Sequence, residues 1–141
     1  MLEAYSSNIT VDANQPVPFN SVALKKGCDV VQQGTSTFLF NKKGVYRVTL
    51  SASGAISGTT TGDILLQLAK NGVLQPQSET ETSSTATTDV EAMSFDTFVQ
   101  VPEDNSPCCA KTPTTIQILN NGVAALFTNI DITIKRETCC N

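Results

Sequence analysis

Apolar and polar residues alternate with a period of two along several stretches of this chain. In the clearest stretch, FTNIDITIKRE at 127–137, one side of the chain would carry Thr128, Ile130, Ile132 and Ile134. Because successive side chains leave opposite faces of a strand, this pattern predicts strands with one buried face. No stretch shows apolar residues at helical spacing, so we expect an all-β chain.

Turn-forming residues separate the alternating stretches. They occur at 41–44 (NKKG), 71–72 (NG) and 120–122 (NNG). Asn71-Gly72 is the strongest hairpin signal, because a tight primed turn requires positive φ at its centre. Short strands divided by turns at these intervals predict a single-domain jelly-roll β-sandwich.

The composition fits one packed domain and limits the range of partners. The 141 residues are 40% hydrophobic and 16% charged, with a net charge of −4. Basic residues form no cluster, whereas nucleic-acid binding depends on clustered positive charge, so we expect no nucleic-acid partner. No apolar run approaches the ~20 residues that cross a bilayer, so we expect no membrane insertion. The first residues lack the basic start and apolar stretch of a secretion signal. We therefore expect either that the chain acts without such export, as a virion protein would, or that a signal was removed.

Catalytic chemistry has little support in the sequence. The chain contains no histidine, which removes Cys–His and Ser–His dyads and the usual general base. The loop acids Asp29, Asp63, Glu103 and Asp104 show no spacing typical of calcium ligands. We therefore expect no enzyme activity, no cofactor and no metal.

Two adjacent cysteine pairs stand out, Cys108-Cys109 and Cys139-Cys140. Neighbouring residues of an extended chain point to opposite sides, so one thiol of each pair can face a given partner. Three interpretations remain: a disulfide staple between the pairs, within or between chains; zinc thiolates; and free thiols. The staple is favoured because zinc ligands are usually separated by two or more residues. The odd count leaves Cys28 as a lone thiol.

Three apolar runs carry more hydrophobic side chains than one core can hold: TFLF at 37–40, DILLQL at 63–68 and VAALF at 123–127. Adjacent residues such as Leu65 and Leu66 cannot both point into one core. A second copy of the chain could cover the surplus, and so could loops or an N-terminal arm of the same chain. At about 25 cal/mol per Å² of buried apolar area, even a few such side chains favour association.

Four segments occur in an order that resembles the C1q and tumour-necrosis-factor jelly roll. They are VPFNSV at 17–22, FLFNKKGVYRVTLSAS at 38–53, LQLAKNG at 66–72 and AALFTNIDITI at 124–134. The resemblance covers roughly residues 14–136. It implies a jelly roll that assembles as a compact homotrimer. Residues 1–13 would be an N-terminal arm, and residues 137–141 a cysteine-containing tail.

The resemblance also suggests which residues act and in what setting. Candidate trimer-interface residues are Phe19, Tyr46, Leu65, Leu126 and Phe127. The leading hypothesis is a virion structural protein of a bacteriophage, such as a head fibre, capsid decoration or fibre-tip domain, whose arm docks on a capsid or fibre protein. The alternative is a secreted, extracellular recognition module that binds a receptor or carbohydrate.

The hydroxyl-rich stretch ETETSSTATTDVE at 79–91 has two interpretations. It could be a solvated loop or an edge strand whose hydroxyl groups prevent association. It could also be a loop at the tip of the sandwich that contacts a host-surface glycan, since loops on rigid scaffolds often carry recognition. In that case the candidate contacts are Thr80, Thr82, Thr85 and Thr87.

Overall fold

Eleven β-strands form the secondary structure of the computed structural model, which describes residues 1–58, 61–105 and 112–138. Within these ranges there is no helix, and so none that could cross a membrane. The strands are β1 Leu2–Val11, β2 Gln15–Pro16, β3 Ser21–Lys25, β4 Val30–Gln33, β5 Thr37–Phe40, β6 Gly44–Ile56, β7 Gly62–Lys70, β8 Val73–Ser84, β9 Glu91–Val101, β10 Thr115–Asn120 and β11 Ala125–Thr138.

The strands form two antiparallel sheets. Sheet A has the order β3-β1-β11-β6-β9, and sheet B has the order β4-β5-β10-β7-β8, with the short β2 added beside β10. The chain crosses between the sheets several times, for example from sheet B to sheet A between β5 and β6, between β8 and β9, and between β10 and β11. This is the jelly-roll sandwich that the sequence predicts.

The inner faces of the two sheets enclose a core in which aromatic rings meet across the gap. Phe40 of sheet B packs on Tyr46 of sheet A with a ring-centroid separation of 4.5 Å, and Phe19 packs on Phe38 at 5.5 Å. The Tyr46 hydroxyl donates a hydrogen bond of 2.6 Å to the Lys42 carbonyl oxygen. The segment from Phe40 through the turn at 41–44 to Tyr46 thus forms a crossing between the two sheets. The hydroxyl group of Tyr46, which is buried with the ring, has a hydrogen-bond partner.

The buried side of β11 changes from odd to even residue numbers at one point along the chain. Phe127 and Ile130 are both fully buried, although they are three positions apart and would face opposite sides of a regular strand. A bulge in the pairing with β6 at Thr128 permits the change. In the corresponding row of β1, Asn8 has a left-handed φ of 52°. Thr128 is exposed, so the prediction that it shares the buried side with the isoleucines is wrong, because the bulge turns it outward.

Gly54 of β6 provides the space that this change requires. It pairs with Phe127, and a Cβ atom added to Gly54 would lie 2.8 Å from Phe127 Cδ1 and 2.8 Å from the Leu126 carbonyl oxygen. Real Cβ atoms do not approach other heavy atoms so closely. Phe127 therefore occupies the space that a side chain at position 54 would fill.

The hairpin predicted at Asn71-Gly72 is confirmed. Both residues have positive φ, 51° and 81°, and the flanking residues Lys70 and Val73 pair with each other. Positive φ at both central residues is the signature of a type I′ turn, whose twist matches that of the strands.

Residues 1–13 are not an arm, and that prediction is wrong. Most of them form β1, which pairs with β3 on one side and with β11 on the other. Leu2, Ala4 and Val11 are buried in the core. Since β1 covers one long side of β11, it is part of the sandwich and is not a separate segment for docking on a carrier. At the other end of the chain, β11 continues to Thr138, beyond residue 136 where the domain was predicted to end.

Asn120 is a fully buried polar residue that joins β10 to the end of β1. Its Nδ2 atom donates to the carbonyl oxygens of Val11 at 3.0 Å and of Val123 at 2.9 Å. Its Oδ1 atom accepts from the amide of Gly122 at 3.1 Å. A buried amide is stable when its donors and acceptor are all paired, and here the pairing fixes the turn that leads from sheet B to sheet A.

We expect the substitution Gly54→Ala to destabilise the protein by about 1–3 kcal/mol, because the added methyl group must displace Phe127 or the backbone of β11. The measurement is the free energy of unfolding in urea. Ser51→Ala on the exposed side of the same strand is the control and should change stability by less than about 0.5 kcal/mol. Equal effects of the two substitutions would contradict the packing described for Gly54.

Candidate functional site

Three of the five predicted interface residues lie in the core of the chain itself. Phe19 is 1% exposed, and Tyr46 and Phe127 are 0% exposed. They contact other residues of the same sandwich and offer no surface to a second copy. Their assignment to a trimer interface is therefore corrected: they are aromatic residues of the core. Tyr46 and Phe127 lie on the inward sides of β6 and β11, and Phe19 is buried from the segment between β2 and β3.

The other two interface candidates keep some exposed surface, but on different sheets. Leu65 is half-buried on β7 of sheet B. Leu126 is 39% exposed on β11, the central strand of sheet A, between Thr10 of β1 and Ala55 of β6. Val90, 51% exposed, directly precedes β9 at the same end of sheet A. We call Leu126 and Val90 the Leu126 patch.

Beyond this patch, the outward face of the central strands of sheet A is mainly polar and carries two neighbouring carboxyl groups. Asp131 pairs with Tyr5, and Glu3 pairs with Thr133, whose hydroxyl donates to Glu3 Oε2 at 3.3 Å. Partial burial raises the pKa of Asp131, and the negative charge of Glu3 raises it further. The charged form of Asp131 is thus disfavoured in the folded chain.

An exposed ion pair occupies the same face of sheet A. Arg47 of β6 donates from Nε to both carboxylate oxygens of Asp96 on β9 at 3.0 Å. The hydrogen bonds from Arg47 are the main reason that the pKa of Asp96 lies below its ordinary value. Because both side chains are well exposed, the pair contributes little to stability.

The predicted ligand-contact threonines fall in two different environments. Thr80 and Thr82 lie within β8 and are half-buried, whereas Thr85 and Thr87 lie in the β8–β9 loop and are exposed. The Thr85 amide and hydroxyl both donate to Asp89 Oδ2, at 2.9 and 3.2 Å. The hydroxyl-rich stretch is therefore divided between the end of the edge strand β8, residues 79–84, and the loop at 85–90, which is closed by internal hydrogen bonds.

Two pairs of carboxyl groups make this end of the sandwich acidic. A hydrogen bond with Asp63 raises the pKa of Glu81, and one with Asp89 raises the pKa of Glu91. The partner carboxyls have lowered pKa values, chiefly through hydrogen bonds from Ser83 to Asp63 and from the Thr85 amide to Asp89. Such an end would repel acidic ligands.

A polar cleft opens along the edge of the sandwich where β8 departs from regular pairing. Gln67 of β7 pairs with Glu79, but Ala69 pairs with Leu74, so four residues of β8 at 75–78 lie opposite Leu68 alone. Pro76 lies in this bulge and has no amide proton to donate to the ladder. The bulge separates β8 from β7 and leaves a cavity of about 210 Å³.

We call this cavity the β8 cleft, and its walls come from both sheets. Its apolar lining residues are Leu68, Val99 and Phe98, of which Phe98 is 63% exposed. Its polar lining consists of Lys70, Gln75, Gln77, Ser78 and Gln100.

Internal hydrogen bonds hold the polar groups of the β8 cleft in place. Lys70 Nζ donates to the Gln100 carbonyl oxygen at 2.7 Å. The Ser78 hydroxyl lies 2.7 Å from the hydroxyl of Thr97 and so ties β8 to β9. Gln75 donates from Nε2 to the Val73 carbonyl oxygen at 3.0 Å. The cleft therefore has an ordered lining with amide, hydroxyl and ammonium groups.

The sequence contains two signals of this cleft that the alternation analysis passes over. Pro76 interrupts a run that otherwise suits a strand, which indicates a bulge or an edge. Phe98 stands on the polar side of β9, where Ser94, Asp96 and Gln100 are its neighbours at every second position. An aromatic residue on the solvent side of an edge strand marks a contact surface more often than a core.

No group of three or more histidine, cysteine, aspartate or glutamate side chains suited to a metal occurs in the part of the chain that the structure describes. In these ranges Cys28 is exposed and free. The candidate disulfide residues Cys108, Cys109, Cys139 and Cys140 lie outside the described residues.

Comparison with solved structures identifies the fold along the whole chain. The Eiger TNF of S. frugiperda has a TM-score of 0.63 at 10% identity, covering 99% of this chain and 94% of the other. Murine APRIL at pH 5.0 has a TM-score of 0.59 at 11% identity, covering 95% and 98%. The PRD1 vertex protein P5 has a TM-score of 0.55 at 16% identity, covering 97% and 96%.

No protein-family model matches the chain, and no curated protein sequence matches it either. At these low identities the structural likeness shows the fold. The chain has the tumour-necrosis-factor-like jelly roll that its motifs resemble, and this prediction is confirmed.

We expect Asp131→Asn to stabilise the protein slightly at pH 7. The folded state raises the pKa of Asp131, so the stability that this group contributes is full below its unfolded pKa and is lost as the pH rises through the folded pKa. Asparagine removes that loss. Because Asp131 is only partly buried and solvent screens its charge, the gain should be a few tenths of a kcal/mol. It should disappear below about pH 3, where the carboxyl group is protonated in both states.

Thermal unfolding at pH 7 and pH 3 measures this effect, and Asp96→Asn is the matched control. The pKa of Asp96 is lowered in the fold, so its contribution to stability is present above its unfolded pKa and is lost as the pH falls. Asp96→Asn should therefore bring no gain at pH 7. A stabilisation by Asp131→Asn that persists at pH 3 would argue against the electrostatic cause.

Proposed function

We propose that this protein is a non-enzymatic structural protein of a virion surface, a head fibre, capsid decoration or fibre-tip domain of a bacteriophage, and that it works as a homotrimer. The proposal combines a fold-level analogy with one feature of the surface. The analogy is the likeness to the PRD1 vertex protein P5, which extends over nearly all of both chains. Since a fold alone does not determine a function, the surface feature carries the argument.

That feature is the exposure of Leu126. Leu126 is on the central strand of sheet A, where a strand lies on either side of it. No loop of the described chain covers it fully, since 39% of its surface remains accessible. With Val90, it leaves an apolar patch at one end of sheet A, whose central strands are otherwise mainly polar on this face. We propose that a neighbouring copy covers this patch.

The symmetry of a trimer fits the single patch. In a ring of three, each contact joins two different surfaces of adjacent subunits, so the Leu126 patch need not face itself. Full burial of a leucine side chain contributes about 1.5–3 kcal/mol, which is less than the cost of association. The hydroxyl-bearing rows beside the patch, which include Ser53 and Thr128 joined by a hydrogen bond of 3.2 Å, would supply the remaining contacts.

The absence of catalysis in this proposal follows from the side chains that are present. The whole chain lacks histidine, the usual general base near neutral pH. The paired carboxyl groups of the described chain, Asp63 with Glu81 and Asp89 with Glu91, are exposed at the acidic end, outside the β8 cleft. A structural role needs no such catalytic groups, because it depends on the rigid sandwich and on its contact surfaces.

A second candidate is a secreted recognition module that binds a receptor or a carbohydrate. The likeness to Eiger TNF and murine APRIL favours it. A secretion signal encoded in frame upstream of this sequence in the native gene would support this candidate. Detection of the protein by mass spectrometry in purified virions would support the first.

We expect Leu126→Asp to dissociate the trimer and to leave each chain folded, because Leu126 lies on the surface of the sandwich. Light scattering should show three times the 15.0 kDa chain mass for the natural protein and one chain mass for the variant, with an unchanged β-sheet circular dichroism spectrum.

Two further variants complete this test. Phe127→Asp should unfold the chain, because it places a charge in the core. Leu24→Asp is matched in side chain and exposure, 42%, but lies on the edge strand β3, and it should leave the trimer intact. A natural protein that is monomeric at high concentration would refute the proposed assembly.

A further inference from the structure

We infer that the β8 cleft binds a saccharide, with one sugar ring against Phe98. This goes beyond the assembly proposed above and does not depend on it. A recognition module, the second candidate function above, would then bind carbohydrate at the β8 cleft and not at the threonine loop at 85–89. A saccharide fits the shape of the cleft and the chemistry of its walls, and other classes of ligand fit them less well.

The size of the cleft suits a small cyclic ligand. Its volume of about 210 Å³ is below the roughly 300–1,000 Å³ of sites that enclose drug-sized molecules. One sugar ring could enter, while the rest of a glycan would extend into solvent from the open edge between β8 and β9. The bulge at 75–78 creates this space, and bulges of this kind are frequent beside binding sites.

The walls of the cleft match the two kinds of surface that a sugar presents. Glutamine side chains both donate and accept hydrogen bonds, as sugar hydroxyl groups do, and Gln75, Gln77 and Gln100 all line the cleft. The Phe98 ring is 63% exposed, so it can lie against the C–H face of a pyranose. Within the described residues, the side-chain amide of Gln100 has no protein partner and is available to a ligand.

Other classes of ligand fit these walls less well. Among the residues that the structure describes, Lys70 is the only charged one in the lining, which is too little positive charge for a nucleic acid. An extended peptide would have to pair with a strand edge, but Pro76 lacks an amide proton and the Gln100 carbonyl oxygen already accepts from Lys70. A purely apolar ligand would leave the amides and the ammonium group without partners.

Lys70 adds a means of selecting among sugars. Its ammonium group has three donors, of which one is used by the Gln100 carbonyl oxygen. The remaining donors could bind the carboxylate of an acidic sugar or the hydroxyl groups of a neutral one. The acidic end formed by Asp63, Glu81 and Asp89 lacks such a cation, so the cleft is the better of the two positions for either class.

The test uses the full chain on a glycan array. The array carries neutral probes that end in galactose, mannose or N-acetylglucosamine and acidic probes that end in sialic or glucuronic acid. Multivalent display compensates for a weak single-site affinity. Titration calorimetry with the free oligosaccharide then measures the affinity for the probes that bind.

We expect Phe98→Ala to weaken binding about tenfold, the scale of one lost aromatic contact, and Gln77→Ala to weaken it severalfold. Both residues lie at the surface, so the variants should stay folded. Val22→Ala is the matched control, exposed to 49% on the opposite edge of sheet A, and it should bind as the natural protein does. Lys70→Gln should reduce binding of acidic probes more than binding of neutral ones.

Two results would overturn the inference. The first is no binding of any probe above background. The second is binding that survives both Phe98→Ala and Gln77→Ala. Light scattering on the same samples separates this inference from the proposed assembly. A monomer whose sugar binding depends on Phe98 would support the sugar site and refute the trimer. A trimer that binds no probe would support the assembly and refute the sugar site. A change of mass in Phe98→Ala would assign Phe98 to the assembly and would also count against the cleft.

Discussion

The strict alternation of side chains along a strand is the constraint on which this structure depends. A strand can give only every second residue to the core, yet β11 buries both Ile130 and Phe127. The bulge at Thr128, the left-handed Asn8 and the missing side chain of Gly54 together change the register at one row of sheet A. This change puts Phe127 in the core and directs Leu126 outward, so one local irregularity determines both the packing of the core and the exposure of the surface patch.

The Leu126 patch and the β8 cleft both arise where strand pairing is irregular. The Leu126 patch lies beside the bulge of β11, and the β8 cleft lies at the bulge of β8 around Pro76. The strands on either side of these two bulges hold the core. Surface changes at Leu126 or Phe98 would therefore leave the aromatic contacts of Phe40 with Tyr46 undisturbed. Substitutions on these two surfaces can therefore change the contacts with other molecules while the core stays the same.

The sequence predicts the fold class, the main turns and the buried side of most strands, because all three depend on local patterns. Asn71-Gly72 is a turn for a reason contained in two residues. The location of the interface candidates could not be predicted in this way. Aromatic residues such as Phe19, Tyr46 and Phe127 are equally typical of a core and of an interface. Only the pairing of strands that are distant in sequence decides which of these two places a given residue occupies. The strand β1 was mistaken for an arm because its partner β11 lies more than a hundred residues away, and the cleft was missed because its walls come from β7, β8 and β9.

The interrupted course of β8 has a consequence for how the protein behaves in concentrated solution. β8 is a twelve-residue strand at the edge of sheet B, and a long flat edge is a template on which other chains can add strands and grow into fibrils. Pro76 removes one amide from that template, the bulge around it bends the strand, and Glu79 and Glu81 place like charges where a second copy would approach. The same bulge that forms the β8 cleft thus also disfavours amyloid-like stacking of this edge strand.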